Sequence, residues 1–150
     1  MKLATALTQR SDLQAKISEL SVRLNNNAKV QDGEEPAENP DVLLKELDSC
    51  LKQLEELIAR INLTNSTAKA GDLTITELLA KRDVLSQRIS IERTFLDNAS
   101  QRVSRYSKAE ILIKSTVKVS ELQKKVDGMS KQLRELDERI QEANWTTELI

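Results

Sequence analysis

Apolar residues recur along this chain at alternating spacings of three and four, in four long stretches separated by polar links. That spacing lines up side chains on one stripe of an α-helix and marks a seam between long packed helices. In the first stretch, expected as a helix over about residues 2–26, the seam reads Leu3, Ala6, Arg10, Leu13, Ile17, Leu20 and Leu24. Asn25, Asn26 and Asn27 then end it, because asparagine competes for backbone hydrogen bonds. After Pro40 a second helix is expected over about 41–62. Its seam is Leu44, Leu47, Leu51, Leu54, Ile58 and Ile61, with Leu43, Cys50 and Leu57 one position earlier. The stripe is wide enough to touch two neighbours.

Thr74 followed by Glu77 forms a capping box that opens a third helix, expected over about 75–104. Its seam is Ile75, Leu78, Arg82, Leu85, Ile89, Glu92, Leu96, Ala99 and Val103. The fourth, over about 120–143, has an uninterrupted seam of Val119, Leu122, Val126, Met129, Leu133, Leu136, Ile140 and Ala143. Gly128 lies inside this helix, where glycine costs about 1 kcal/mol relative to alanine. It is expected there to admit a close neighbour. Between the third and fourth helices, residues 106–119 are rich in β-branched side chains and predict a short extended β segment. The fold class expected is therefore all-α, either an antiparallel four-helix bundle or two long coiled-coil-like hairpins, in a single domain over residues 1–150.

Composition agrees with an aliphatic core. Aromatic residues make up 2 % of the chain, and only three glycines and two prolines are present, too few for the turns of an all-β fold. Lysine and arginine total 23 against 24 acidic residues, a net charge of −1. Such a balance carries no broad footprint for nucleic acid or anionic lipid, and it permits copies to associate. Uninterrupted apolar runs reach three residues, as at Val42–Leu44, so no transmembrane helix of about 20 residues is expected. The first residues lack the apolar core of a secretion signal, and a cytoplasmic setting is the expectation. Cys50 is the single cysteine and is expected as a buried free thiol on the apolar stripe.

Histidine is absent. That removes Ser-His-Asp and Cys-His nucleophile pairs, the Glu-x-x-His di-iron signature and the usual zinc ligands. Carboxylates on facing helices hold Mg²⁺ in all-α nucleotide pyrophosphohydrolases. The candidates here, Glu55, Glu56, Glu135, Glu138 and Glu142, fall outside the seams and are expected in solvent. No catalytic residue, metal ligand or cofactor is assigned, and a non-enzymatic protein is expected. Arg10, Arg82 and Glu92 stand in seams, where a charge is tolerated when it is paired and then fixes register, with an internal polar pocket as the alternative. Arg102, Arg105 and Lys108 complement the dipole at the end of the third helix. Trp145 is expected to pack the tail back on the bundle, with an exposed anchor for a partner as the alternative.

An extended segment with no sheet in its own chain leaves backbone donors and acceptors open. A homo-oligomer is therefore expected, with Ala109, Ile111, Leu112, Ile113 and Val117 at its interface; a small hairpin within the monomer is the alternative. Another protein partner remains possible on this pattern, whereas no nucleic acid or membrane is expected.

Several strings point to one family. They are Met1 to Ala4 with Arg10 to Leu24, the run Asn27-Ala28-Lys29-Val30-Gln31-Asp32-Gly33-Glu34-Glu35-Pro36, Ile61-Asn62 with Thr64-Asn65, Arg105-Tyr106-Ser107 with Glu110-Ile111, and Asn144-Trp145-Thr146-Thr147-Glu148-Leu149. Together they resemble a family of uncharacterised small bacterial helical proteins, some of them labelled septicolysin, over nearly the whole chain. The resemblance brings no catalytic residues. Its label implies a membrane-active cytolysin, against which stands the absence of an apolar tongue in the sequence. A structural or interaction protein forming a homo-oligomeric helical bundle is the function expected, with the cytolysin and a Mg²⁺-dependent pyrophosphohydrolase as alternatives.

Overall fold

The computed structural model describes residues 1–101 and 113–150. Four helices dominate it: α1 (Leu3–Asn26), α2 (Pro40–Thr67), α3 (Ile75–Ser100) and α4 (Val119–Thr146). A strand pair, β1 (Lys69–Ala70) and β2 (Leu73–Thr74), lies between α2 and α3. The all-α class holds. The chain falls into two compact units: residues 1–74 with 141–150, and residues 75–140.

In the first unit α1 and α2 form a hairpin. Asn39 caps α2, its Oδ1 accepting from the Asp41 amide at 2.9 Å, and Pro40 follows where a missing N–H is harmless. Asn27 holds the other end of the link: its Nδ2 donates to the Arg23 carbonyl at 2.8 Å and its Oδ1 accepts from the Glu38 amide at 2.9 Å. Arg23 also donates Nε to Glu38 Oε2 at 3.0 Å. Gly33 supplies a left-handed turn at φ +86° within the link. The core of this hairpin joins Leu20, Leu43 and Cys50, with Leu13, Ile17, Leu24 and Leu47 packed around them. Cys50 is a free buried thiol. Lys16 Nζ reaches Glu46 Oε1 at 2.7 Å across the two helices.

The α1 seam is the expected one: Leu3, Ala6 and Leu20 are buried, and Arg10, Leu13, Ile17 and Leu24 are half-buried. The α2 seam requires correction. Its buried row is Leu43, Cys50, Leu57 and Thr64, together with buried Ile61 and half-buried Leu47 and Leu54. Leu44, Leu51 and Ile58, expected inside, are exposed. Two heptads overlap on this helix and share Leu47, Leu54 and Ile61. A single neighbouring seam covers one of them, and α1 covers the row that begins at Leu43.

Helix α2 also runs five residues beyond its expected end at 62, to Thr67. Backbone pairing then joins Lys69 to Thr74 and Ala70 to Leu73 around a Gly71-Asp72 turn, Gly71 at φ +72°. Glycine at the first central position suits a tight hairpin turn. This link was expected to be plain polar coil.

In the second unit, α3 and α4 share a core of Ile89, Leu96, Val126 and Met129, flanked by Leu85, Val119, Leu122 and Leu133. Both seams follow the expected positions over the described residues, outside which Val103 lies. Helix α3 is described to Ser100, short of the expected 104, and α4 begins at Val119. Half of the β segment expected over 106–119, residues 106–112, lies outside the described residues. Within 113–118 no strand forms: Ser115 Oγ donates to the Val117 carbonyl at 2.9 Å in a local turn, and Val119 is already helical. Gly128 meets no neighbour among the described residues: a Cβ placed on it finds nothing of theirs within 4 Å. The close approach expected there is absent among them.

Candidate interaction faces

Leu44, Leu51 and Ile58 recur every seven residues, which keeps them on one face of α2. They are 48 %, 44 % and 36 % exposed, on a helix whose neighbouring row is covered by α1. Beside them, three residues earlier in each case, run Asp41, Asp48 and Glu55, all exposed. Helix α2 therefore has one aliphatic row in its hairpin core and a second on the surface, edged by carboxylates.

A similar face occurs on α3. Val84 and Ile91 are seven residues apart, and Phe95 follows at four, so all three share one side of the helix. They are exposed, Val84 by 66 % and the single phenylalanine of the chain by 47 %. Lys81 and Arg88 lie along this row. Sequence reasoning missed this face because the seam through Ile89 dominated the pattern; the signal available was the spacing of seven and four among large apolar residues outside that seam. Phe95 and Ile113 line one shallow surface groove of about 260 Å³.

The seam charges have different fates. Glu92 is held by Lys125 Nζ at 2.6 Å across the hairpin and by Arg88 Nε at 2.7 Å along the helix. These two cations hold its carboxyl below the usual carboxylate range. Arg82 pairs with its chain neighbour Asp83 at 2.8 Å, a contact that ties no second helix. Arg10 is half-buried and has no ion pair among the described residues. Of the expected interface residues, Ala109, Ile111 and Leu112 lie outside the described residues, as do Arg102, Arg105 and Lys108. Ile113 is exposed and Val117 half-buried.

The tail is clasped to the start of α1, but not by Trp145. The Leu3 amide donates to the Thr147 carbonyl at 2.9 Å and the Leu149 amide to the Met1 carbonyl at 2.8 Å. Lys2 Nζ and the Met1 amino group meet Glu148 at 2.7 and 3.0 Å, which lowers the pKa of its carboxyl. Thr64 Oγ1, fully buried, accepts from the Ile150 amide at 3.1 Å and donates to the Arg60 carbonyl at 2.8 Å. Leu149 is buried whereas Trp145 is 64 % exposed. The packing role expected of the tryptophan belongs to Leu149.

In the second unit a groove of about 440 Å³ is lined by Ser86, Ser90, Arg93, Thr94, Ser130 and Arg134 among others. Arg93 Nη2 donates to Ser130 Oγ at 3.2 Å. The hydroxyls there have no imidazole to activate them, since the chain has no histidine. Among the described residues no group of three or more acidic or cysteine side chains is gathered as metal ligands, and Glu55, Glu56, Glu135, Glu138 and Glu142 are all exposed. No helix among the described residues is long and apolar enough to cross a membrane.

Residues 10–149 match the family model described as a family of unknown function, DUF6847. The chain belongs to that family. A crystal structure of a functionally unknown conserved protein from Corynebacterium diphtheriae is similar over 100 % of this chain and 99 % of that one, at 40 % identity and a TM-score of 0.88. No curated protein matches. The DUF6847 family is thus an uncharacterised one, as the sequence resemblance implied, and neither description carries the septicolysin label.

Proposed function

We propose that this member of the DUF6847 family is a non-enzymatic interaction protein that self-associates through helix faces left uncovered by its own hairpins. The observation that carries this is the exposed row of Leu44, Leu51 and Ile58 beside the buried row of Leu43, Cys50 and Leu57. Aliphatic side chains at seven-residue spacing are what one helix offers another in a coiled-coil seam. Exposed as a contiguous row on a helix, they mark an interaction surface rather than the scattered apolar residues of any protein surface. Ile113, at the described end of the expected interface segment, and Phe95 extend the exposed apolar surface on the second unit.

The alternatives have less support. A membrane-active lysin has no spanning helix among the described residues to work with, and a Mg²⁺-dependent hydrolase has no gathered carboxylates there. Light scattering on the purified protein over a concentration series tests the proposal. A mass rising above 16.9 kDa, the mass of one chain, is expected; a constant monomer up to millimolar concentration overturns it.

A further inference from the structure

Two exposed apolar rows run along helices among the described residues, and their charged edges have opposite signs. On α2 the row Leu44, Leu51 and Ile58 has Asp41, Asp48 and Glu55 beside it. On α3 the row Val84 and Ile91 has Lys81, Arg88 and Phe95 beside it. In both helices the edge residues stand three before or four after an apolar residue, so both edges lie on the same side of their rows as seen along the chain direction. When two helices pack antiparallel, the edges on that side face each other. An acidic edge then meets a basic one.

We propose that the α2 face of one copy of this chain docks antiparallel on the α3 face of a second copy. The inference rests on the self-association proposed above and names the surfaces that carry it. The register that sets Leu51 opposite Val84 also sets Leu44 opposite Ile91. It brings Asp48 beside Arg88 and Glu55 beside Lys81. Phe95 then covers the Leu44 end, and Ile58 lies against Glu77 at the other.

Charge selects this pairing over the symmetric ones. An antiparallel pair of two α2 faces centred on Leu51 places Asp48 of one beside Glu55 of the other. A pair of two α3 faces centred on Val84 places Arg88 beside Lys81. Like charges in these positions disfavour both, as they do in coiled coils that discriminate among partners. The local ion pairs leave this contrast intact. Asp48, Glu55 and Lys81 have no side-chain partner among the described residues. Arg88 shares the single carboxylate of Glu92 with Lys125, so positive charge remains in excess there.

Sedimentation velocity on charge-reversed full-length chains tests this. Asp48→Lys with Glu55→Lys makes both faces basic-edged; Lys81→Glu with Arg88→Glu makes both acidic-edged. Each double variant alone is expected to associate roughly tenfold more weakly than the natural chain. An equimolar mixture of the two is expected to regain the natural affinity, because each then offers the face the other lacks. Circular dichroism checks that the exposed substitutions leave the helices formed. If the natural chain associates and the reversals change nothing, or the mixture stays as weak as its parts, the α2–α3 pairing is wrong while self-association stands. If the natural chain is a monomer at every concentration, both fall.

Discussion

Leu43 and Leu44 are adjacent on α2 and have opposite environments: Leu43 is 2 % exposed in the core with α1, and Leu44 is 48 % exposed on the outer face. A rotation of about 100° separates consecutive helical side chains, enough to move one from core to surface. Truncating the two should therefore have unlike effects. Leu43→Ala is expected to lower unfolding free energy by about 2–4 kcal/mol, the range for a buried leucine. Leu44→Ala, at dilutions where the chain is monomeric, should stay within about 0.5 kcal/mol. Denaturant midpoints for both variants, measured side by side, check the assignment of the two rows. Equal losses would contradict it.

Gly128 sits inside α4 with open space where a side chain would go. Gly128→Ala is expected to raise stability by about 0.5–1 kcal/mol, since alanine loses less backbone entropy in a helix. Thermal unfolding measures this directly. A destabilised variant would show that a neighbour does approach that position.

Four carboxylates, Glu38, Glu46, Glu92 and Glu148, are held below their usual pKa of 4.5, chiefly by hydrogen bonds from Arg23, Lys16, Lys125 and Lys2 respectively. A carboxylate with a lower pKa folded than unfolded adds stability that is complete above the unfolded value. That stability is lost as pH falls through the folded value. The protein should therefore be insensitive to pH near neutrality and lose stability below about pH 4.5. Because the pairs are solvent-accessible, salt should shrink the effect. Urea midpoints from pH 7 down to 3, at low and high ionic strength, check both signs.

The clasp at the chain ends rests on backbone pairing reinforced by Glu148. Removing that carboxylate as Glu148→Gln is expected to speed hydrogen exchange at the Leu3 and Leu149 amides while leaving amides in the middle of α3 unchanged. Thr64→Val removes the hydroxyl that joins the Ile150 amide to α2, with an expected loss of about 1 kcal/mol. Trp145→Ala, on an exposed side chain, should alter neither exchange at the clasp nor stability by more than about 0.5 kcal/mol.

Most of the fold was legible because heptad spacing reports helices and their seams directly. Over the described residues the seams of α1, α3 and α4 lie where the spacing placed them, including Arg82 and Glu92. The α2 seam was misplaced because Leu43, Cys50, Leu57 and Leu44, Leu51, Ile58 form two rows that share Leu47, Leu54 and Ile61. Periodicity shows that both rows exist; it does not say which one a neighbour covers. Trp145 and Gly128 failed for a different reason. Burial of a single aromatic and close approach at a single glycine depend on what stands opposite in space, which no local pattern encodes. The second face of α3 was overlooked because Val84, Ile91 and Phe95 are outnumbered by the seam residues between them. The two-residue strands at Lys69–Ala70 and Leu73–Thr74 are too short to leave a period.

One substitution separates the roles of the two α2 rows most directly. Leu51→Glu places a charge in the middle of the outer row, on a face that the hairpin itself does not use. Mass in solution and denaturant midpoint should be measured on this single variant. The expected result is a mass falling to the 16.9 kDa of one chain with a monomer unfolding midpoint unchanged. A variant that keeps the natural chain's associated mass, or that loses its fold as a core substitution would, contradicts an outer row built for contact between copies.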